Sequence, residues 1–311
     1  MKAKRRDTKT RPPSERGPFL RVSASQRFRV PLITLLTDFG TADYFVAAVK
    51  GVILAGNPTA NTANLVDITH DIPPGDIEAA AFTLLAACSP FPPGTIHVAV
   101  VDPGVGSARR PILIKLGKQF FIGPDNGIFS YVCESNESLG VRAEMFHLTN
   151  AEYFRDPVSA TFHGRDVFAP VAAALSVGVK PVQLGTSISN IVRLSPLRPR
   201  TSPDGRLLAR LIHIDRFGNC VTNITQNDLT AKMIAAGATL RIKGKSVTSF
   251  RNYFAEEMTG KDRVFGIWGS AGFLEIAAAN ESAAKLLKAR RGDAVIVSDL
   301  LGPRASRPQA R

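Results

Sequence analysis

Asp102 and Arg109 stand seven residues apart in Val101-Asp102-Pro103-Gly104-Val105-Gly106-Ser107-Ala108-Arg109-Arg110. The apolar run Thr95-Ile96-His97-Val98-Ala99-Val100-Val101 feeds this loop and reads as a buried strand. Open α/β sheets place their binding crevices at strand ends of this kind. Two glycines and a proline set the backbone path between the charges, which suits a carboxylate and a guanidinium held at fixed separation. Such a pair is compatible with a metal, a phosphate or a purely structural role, so it marks a candidate site without naming a reaction.

Three carboxylates close predicted strands: Asp38, Asp67 and Asp102. A lone strand-end aspartate is ordinarily a turn-former or helix cap, and Asp71, ahead of Ile72-Pro73-Pro74, reads that way. Several on one sheet edge favour function. Of the five histidines, His163 is the most suggestive, in the polar loop Ser159-Ala160-Thr161-Phe162-His163-Gly164-Arg165-Asp166 before a helix. A carboxylate nearby would orient it as a general base; its bland alternative is a capping hydrogen bond. His97 and His213 lie within strands and read as structural.

Asp38, Asp102, Asp125 and His163 could in principle hold a hard cation, but the spacing of metal motifs is lacking and Arg109 adds positive charge nearby. No metal is expected. The glycines at 104 and 106 lack the Lys-Ser/Thr of a P-loop, and no Gly-x-Ser-x-Gly elbow occurs. Asp38-Phe39-Gly40 with His163-Gly164-Arg165-Asp166 superficially resembles protein-kinase signatures, yet in reversed order. Further along, Ile214-Asp215-Arg216-Phe217-Gly218-Asn219 is either a bulged hairpin or a ligand clamp. As a clamp, Phe217 would stack on a planar base, Asn219 would match an adenine edge and Asp215 would meet an ammonium. Ser270 is free to bind a carboxylate, whereas Tyr253 and Phe254 read chiefly as packing.

The elements that must position these residues alternate. Strands are expected over 30–36, 64–68 and 95–101, helices over 44–55, 74–88 and 166–175, and a hairpin over 111–116 and 119–122. This pattern predicts an α/β fold whose N-terminal, mostly parallel sheet is flanked by helices. Prolines at 196, 199 and 203 mark a linker over 194–206. Short strands at 207–214, 221–224, 238–242, 264–268, 274–277 and 294–298, with one helix over 282–288, predict a smaller C-terminal antiparallel, barrel-like β domain. The expected division is a basic tail at 1–29, an α/β domain at 30–193, the linker, a β domain at 207–302 and a second basic tail at 303–311.

The chain of 311 residues carries a net charge of +13. Its first 29 residues supply +8 and its last nine supply +3, so the body is almost neutral. The basicity belongs to tails that read as solvated and disordered, so nucleic acid is not an expected partner. No apolar run reaches the roughly 18 residues of a membrane span. Three widely spaced cysteines (Cys88, Cys133, Cys220) argue against a disulfide framework and for a reducing cytoplasm.

Taken together, the ordered motifs resemble the S-adenosylmethionine hydroxide adenosyltransferases, relatives of fluorinating and chlorinating enzymes that use the same substrate. The matching segments are Thr37 to Gly40, Asp67 to His70, Asp102 to Gly106 with Arg109-Arg110, Pro124 to Gly127 and Thr161 to Asp166, then Asp215 to Asn219, Gly269-Ser270 and Leu274 to Ala277. The resemblance spans about residues 31–299 and implies hydrolysis of S-adenosylmethionine to adenosine and L-methionine, without a cofactor. It implies a catalytic set of Asp102, Arg109 and His163 and a ribose carboxylate at Asp38. Thr161 and Phe162 would join the substrate contacts, Asp215 and Ser270 would hold the methionine end, and Phe217 and Asn219 would address adenine. It further implies a homotrimer whose sites lie between subunits. In the halogenating relatives a tyrosine stands where Asp102 does, so the aspartate favours water as nucleophile. The alternatives are a halide adenosyltransferase and a binding protein with little turnover.

Overall fold

The computed structural model describes residues 32–57, 64–255 and 263–298. The expected tails, 1–29 and 303–311, lie outside the described residues.

Seven strands build the first sheet: β1 (Ile33–Thr37), β2 (Leu65–Thr69), β3 (Ile96–Val100), β4 (Pro111–Leu116), β5 (Gln119–Pro124), β6 (Ala143–Leu148) and β7 (Gly185–Ile188). Their order is β2-β1-β3-β5-β4-β6-β7. The first four in that order are mutually parallel, and the rest join antiparallel, so five of the seven point one way. Helices α1 (Phe45–Gly56), α2 (Ile77–Cys88), α3 (Ser130–Ser138) and α4 (Ala169–Ser176) cover it. Every residue of β1 and β3 is buried, as expected for central strands covered on both faces. Alternation sorts their side chains. Ile33, Leu35, Ile96 and Val98 pack with α1 and α4, while Leu36 and Ala99 pack with α2 and α3. Helix α1 approaches α4 closely at Gly56, where a Cβ would come within 2.8 Å of Ala173 Cβ.

The strand order reverses at β1. The chain leaves β1 for β2 on one side and returns to β3 on the other, the switch point at which open α/β sheets place their binding crevices. Asp38 follows β1 and Asp102 follows β3. Two of the strand-end carboxylates therefore flank the switch point.

The second sheet is formed by β8 (Arg200–Thr201), β9 (Leu207–Ile214), β10 (Cys220–Thr225), β11 (Thr239–Ile242), β12 (Lys245–Val247), β13 (Phe250–Arg251), β14 (Val264–Trp268), β15 (Phe273–Ala278) and β16 (Ala294–Ser298). Its order is β12-β11-β16-β9-β10-β15-β14-β13 with β8 beside β9, and all pairings but β13–β14 are antiparallel. It curls into a half-barrel around Leu211, Ile224, Leu240 and Ile276. Phe82 of α2 packs on Phe273 and stacks on His213 with ring centroids 5.1 Å apart, and Arg210 pairs with Glu78, binding the sheets to each other.

Three expectations need correction. Helix α2 begins at Ile77 rather than 74, because Pro73 to Asp76 form a turn with Gly75 at φ +71°, and Asp76 rather than Asp71 caps it by accepting from Ala79 N. The helix expected from 166 starts as a π-helical turn, Gly164–Phe168, before α4. Elements α3, β6 and β7 were not anticipated: α3 is polar along most of its length and β7 is four residues of Gly-Thr-Ser-Ile, so neither shows a periodicity.

His97 illustrates how the core constrains pH. It is fully buried in β3, stacks on Phe121 at 4.9 Å and shares a hydrogen bond of 2.8 Å between Nδ1 and Thr34 Oγ1. Burial pushes its pKa down to about 4. Because the unfolded chain then binds the proton more readily, this stability is complete above about pH 6.5 and is lost as pH falls toward 4. Urea unfolding at pH 7 and pH 4 should show about 3 kcal/mol more loss for the native chain than for His97→Asn, which retains an Nδ1-like group toward Thr34. Equal losses would contradict the assignment.

Candidate active site

The loop after β3 is shaped by its own turns. Val105 N donates to Asp102 O, Ser107 N and Oγ donate to Gly104 O, and Arg109 N donates to Ser107 Oγ. Gly106 adopts φ +76°, and a Cβ there would lie 2.3 Å from Ala160 O. Only glycine allows that approach, which seats the 102–109 loop against the loop carrying Thr161, Phe162 and His163. The turn after β1 closes the third side. Phe39 packs over Gly164, and Asp38 Oδ2 accepts from Gly75 N at 2.8 Å.

These contacts bring Asp102, Arg109 and His163 together. Arg109 Nε donates to both Asp102 oxygens at 3.0 Å, and its Nη2 bonds Asp102 Oδ2. The same Nη2 donates to His163 Nδ1 at 2.7 Å. The two charged side chains are only 5% and 9% exposed, so the pair sits largely out of water. The guanidinium carbon lies 5.3 Å from the Phe168 ring centroid, which backs the pair with an apolar surface. Nη1 of Arg109 is buried with no hydrogen-bond partner. The histidine pKa is lowered, first by burial and then by the Arg109 charge, with Asp102 and Asp166 pulling the other way. An arginine can only donate, so its bond to Nδ1 fixes the neutral tautomer with the proton on Nε2. Two N–H groups of the trio, Arg109 Nη1 and His163 Nε2, are thus engaged by neither of the other two members.

Asp166, behind the histidine, is fully buried, paired with Arg165 and accepting from Ser159 N, so it braces the 159–163 loop. Phe162 is buried and packs edge-on against Phe39 and Phe45, while Thr161 is exposed and bonded to Ser159 Oγ. Asp125 is engaged by Arg110 and Val192 N, and Asp67 by Lys50. Phe168 and Ala160 escaped the sequence reading: their contribution is contact between loops more than fifty residues apart, which no spacing along the chain records.

In the second sheet, Asp215 Oδ1 accepts from Phe217 N and Asn219 N, and Oδ2 from Asn219 Nδ2. The hairpin reading of this loop holds locally, with Gly218 at φ +85° where a Cβ would strike Ser282. Phe217 is 79% exposed and forms an open cleft with Asn219, Phe254, Asn280 and Ser282. Ser270 is exposed in a different cleft, beside Arg198, Asn223 and Phe273. Glu275, not singled out in the sequence, is half-buried with its pKa raised by burial and then by Asp215, and a Cβ at Gly269 would collide with its Oε1. Among the described residues, no hydrogen bond or ion pair joins the Asp102 trio to Asp215, Phe217, Asn219 or Ser270.

Residues 33–185 match the family model described as SAM hydroxide adenosyltransferase N-terminal domain, and residues 209–296 match that of the C-terminal domain. An (R)-S-adenosyl-L-methionine hydrolase of Methanocaldococcus jannaschii is 38% identical over 267 residues, 82% of this chain and 91% of the relative. One of Salinispora arenicola is 36% identical over 86% of this chain and 98% of its own. A fluorinase of Actinoplanes is 27% identical, over 71% of this chain and 80% of its own. An uncharacterized conserved protein of Thermotoga maritima superposes with a TM-score of 0.77 at 33% identity, covering 86% of this chain and 99% of that one. The carboxylate edge at the sheet's switch point thus sits in a framework matched at both ends of the body, and the chain belongs to the SAM hydroxide adenosyltransferase family.

Proposed function

We propose that this protein hydrolyses S-adenosyl-L-methionine to adenosine and L-methionine, with Asp102, Arg109 and His163 holding the attacking water. The observation that carries the reading is the unpartnered, buried Nη1 of Arg109 beside a histidine whose tautomer leaves Nε2–H free. The hydrolase names of relatives at 36–38% identity over most of the chain support it.

The reaction needs a nucleophile rather than an acid. The sulfonium of the substrate departs from C5′ as a neutral thioether, taking the bonding electron pair with it. One water loses a proton to solvent, and the resulting hydroxide attacks C5′ from the opposite side to form the 5′-hydroxyl, so the atoms balance with water alone and no cofactor enters. Both Asp102 oxygens accept from Arg109, and His163 Nδ1 also accepts from it. The trio acts by stabilising developing hydroxide through donated hydrogen bonds, in a site that excludes bulk water. Asp38 has Oδ1 free to receive a ribose hydroxyl.

The adenine and methionine contacts assigned to Phe217, Asn219, Asp215 and Ser270 belong, in this reading, to a neighbouring subunit of a homotrimer. An exposed aromatic cleft with no polar link to the trio of its own chain supports that arrangement. Among the described residues no helix is long and apolar enough to cross a membrane, and all three cysteines are buried free thiols, which fits the cytoplasm.

Incubation with S-adenosylmethionine should release adenosine and methionine in equal amounts, with adenosine still the product in concentrated chloride; a 5′-halo product would point to the halide transferase. Arg109→Ala should lower kcat by about 10²–10³-fold, the scale of a lost oxyanion donor, and wild-type turnover would remove the trio from the mechanism. The native enzyme should lose kcat/KM on the acid side with a midpoint below about pH 6.5, as His163 gains a proton beside Arg109; His163→Gln should lack that limb. Arg109→Ala and Asn219→Ala, each inactive alone, should recover about one quarter of native activity when subunits are mixed randomly, because a site drawing on two chains is intact when each half comes from the unaltered partner. No recovery in verified mixed trimers would place the site within one chain.

A further inference from the structure

The cluster behind Asp38 has no part in the chemistry above, yet it is built from polar groups buried with care. His70 is 5% exposed and Thr37 is 2% exposed. His70 Nδ1 and Thr37 Oγ1 are 2.8 Å apart, and Thr37 Oγ1 also accepts from Phe39 N at 3.2 Å. The His70 backbone carbonyl accepts from Gly40 N at 2.8 Å. On its far side, His70 Nε2 lies 3.2 Å from Asp67 Oδ1, a close charge contact without hydrogen-bond alignment, and Lys50 Nζ donates to Asp67 Oδ2 at 2.6 Å. A break in register provides the reach. Leu35 pairs with Asp67 but Leu36 pairs with Thr69, so Ile68 is an extra residue that turns the end of β2 beneath the end of β1.

The bonds have one consistent direction. Thr37 Oγ1 accepts from Phe39 N and keeps its own proton to donate to Nδ1, which leaves the imidazole proton on Nε2, the nitrogen nearer Asp67. Asp38 itself makes no bond to the cluster. Instead, the residue before it and the two after it are all tied to His70, directly or through Thr37. With Gly75 N on Oδ2, this leaves the Oδ1 direction as the product of a backbone fixed on both sides.

We propose that His70 and Thr37 are positioning residues for the substrate ribose: they hold the Thr37–Gly40 turn so that Asp38 presents a carboxylate oxygen to a sugar hydroxyl. The inference rests on the proposed function for the identity of the sugar, and goes beyond it in assigning the two buried groups that set the angle. A carboxylate turned away by one rotamer would still be charged, yet would no longer discriminate a hydroxyl from a hydrogen.

The test measures binding of adenosine and 2′-deoxyadenosine by calorimetry, alongside methionine release from S-adenosylmethionine. The native enzyme should prefer adenosine by about tenfold or more, the scale of a hydrogen bond to a charged group. Asp38→Asn should collapse that ratio. Thr37→Val, which keeps side-chain shape, and His70→Leu should also bring it below about threefold, while His70→Asn, which keeps an acceptor where Nδ1 stands, should retain it. General loosening of the fold would weaken both nucleosides alike and leave the ratio unmoved. If Asp38→Asn collapses the ratio but Thr37→Val does not, the positioning role is overturned while the ribose assignment stands. If the native enzyme or Asp38→Asn shows no effect, the ribose assignment itself falls and the inference with it, whereas hydrolysis is judged separately by methionine release. Should His70→Leu fail to fold, the isosteric Thr37→Val decides alone.

Discussion

The ion pair between Asp102 and Arg109 is the interaction on which the site depends. A guanidinium nine-tenths withdrawn from water is costly unless a carboxylate meets it with good geometry. Nε and Nη2 satisfy that requirement, and they leave Nη1 pointing away. The loop must therefore be rigid, since a small rotation would break two bonds and expose a buried charge. Its rigidity comes from backbone turns and from the contact at Gly106, where the absence of a side chain lets Ala160 close over it. Histidine then arrives on the same segment that Gly106 admits. Close packing between two loops and charge pairing within one of them are thus a single constraint seen from two sides.

The wider fold serves that constraint. A strand order that reverses at β1 separates the turns after β1 and β3, and helices on both faces keep their strands buried. The π-helical turn at Gly164–Phe168 places Phe168 beneath Arg109 and Asp166 behind the 159–163 loop within one short segment. A regular α-helical start would space these side chains differently.

What was legible in the sequence follows from range. Buried central strands write themselves as unbroken apolar runs, so β1 and β3 and the carboxylates ending them could be read directly. The Asp215 turn was legible for the same local reason: acid, aromatic, glycine and amide lie within five residues. Strands β6 and β7 were not, because a strand that mixes polar with apolar residues, or runs for only four, resembles a loop until a partner is seen. Within the site, Asp102 and Arg109 were joined by spacing alone and His163 stood out by its polar loop before a helix, but its place beside them came with the ordered family resemblance, and Phe168 and the His70–Thr37 bond came only with the folded chain. The split between short and long sequence separation, more than between core and surface, divides what could be read from what could not.

Charge balance explains why an arginine is tolerable beside a sulfonium at all. A lone guanidinium at the attacking face would repel the cationic substrate, most strongly where water is scarce. Paired with Asp102 it contributes donors while the pair as a whole is neutral, and the lowered pKa of His163 keeps a third cation out of the site. In the proposed reaction hydroxide and sulfonium neutralise one another as the C5′–S bond breaks, so the transition state carries less separated charge than the reactants. A low-dielectric pocket favours such a step, whereas it would oppose one that creates charge. The aspartate is therefore as necessary as the arginine: it makes hydrogen-bond donation to the nucleophile possible without driving the electrophile away.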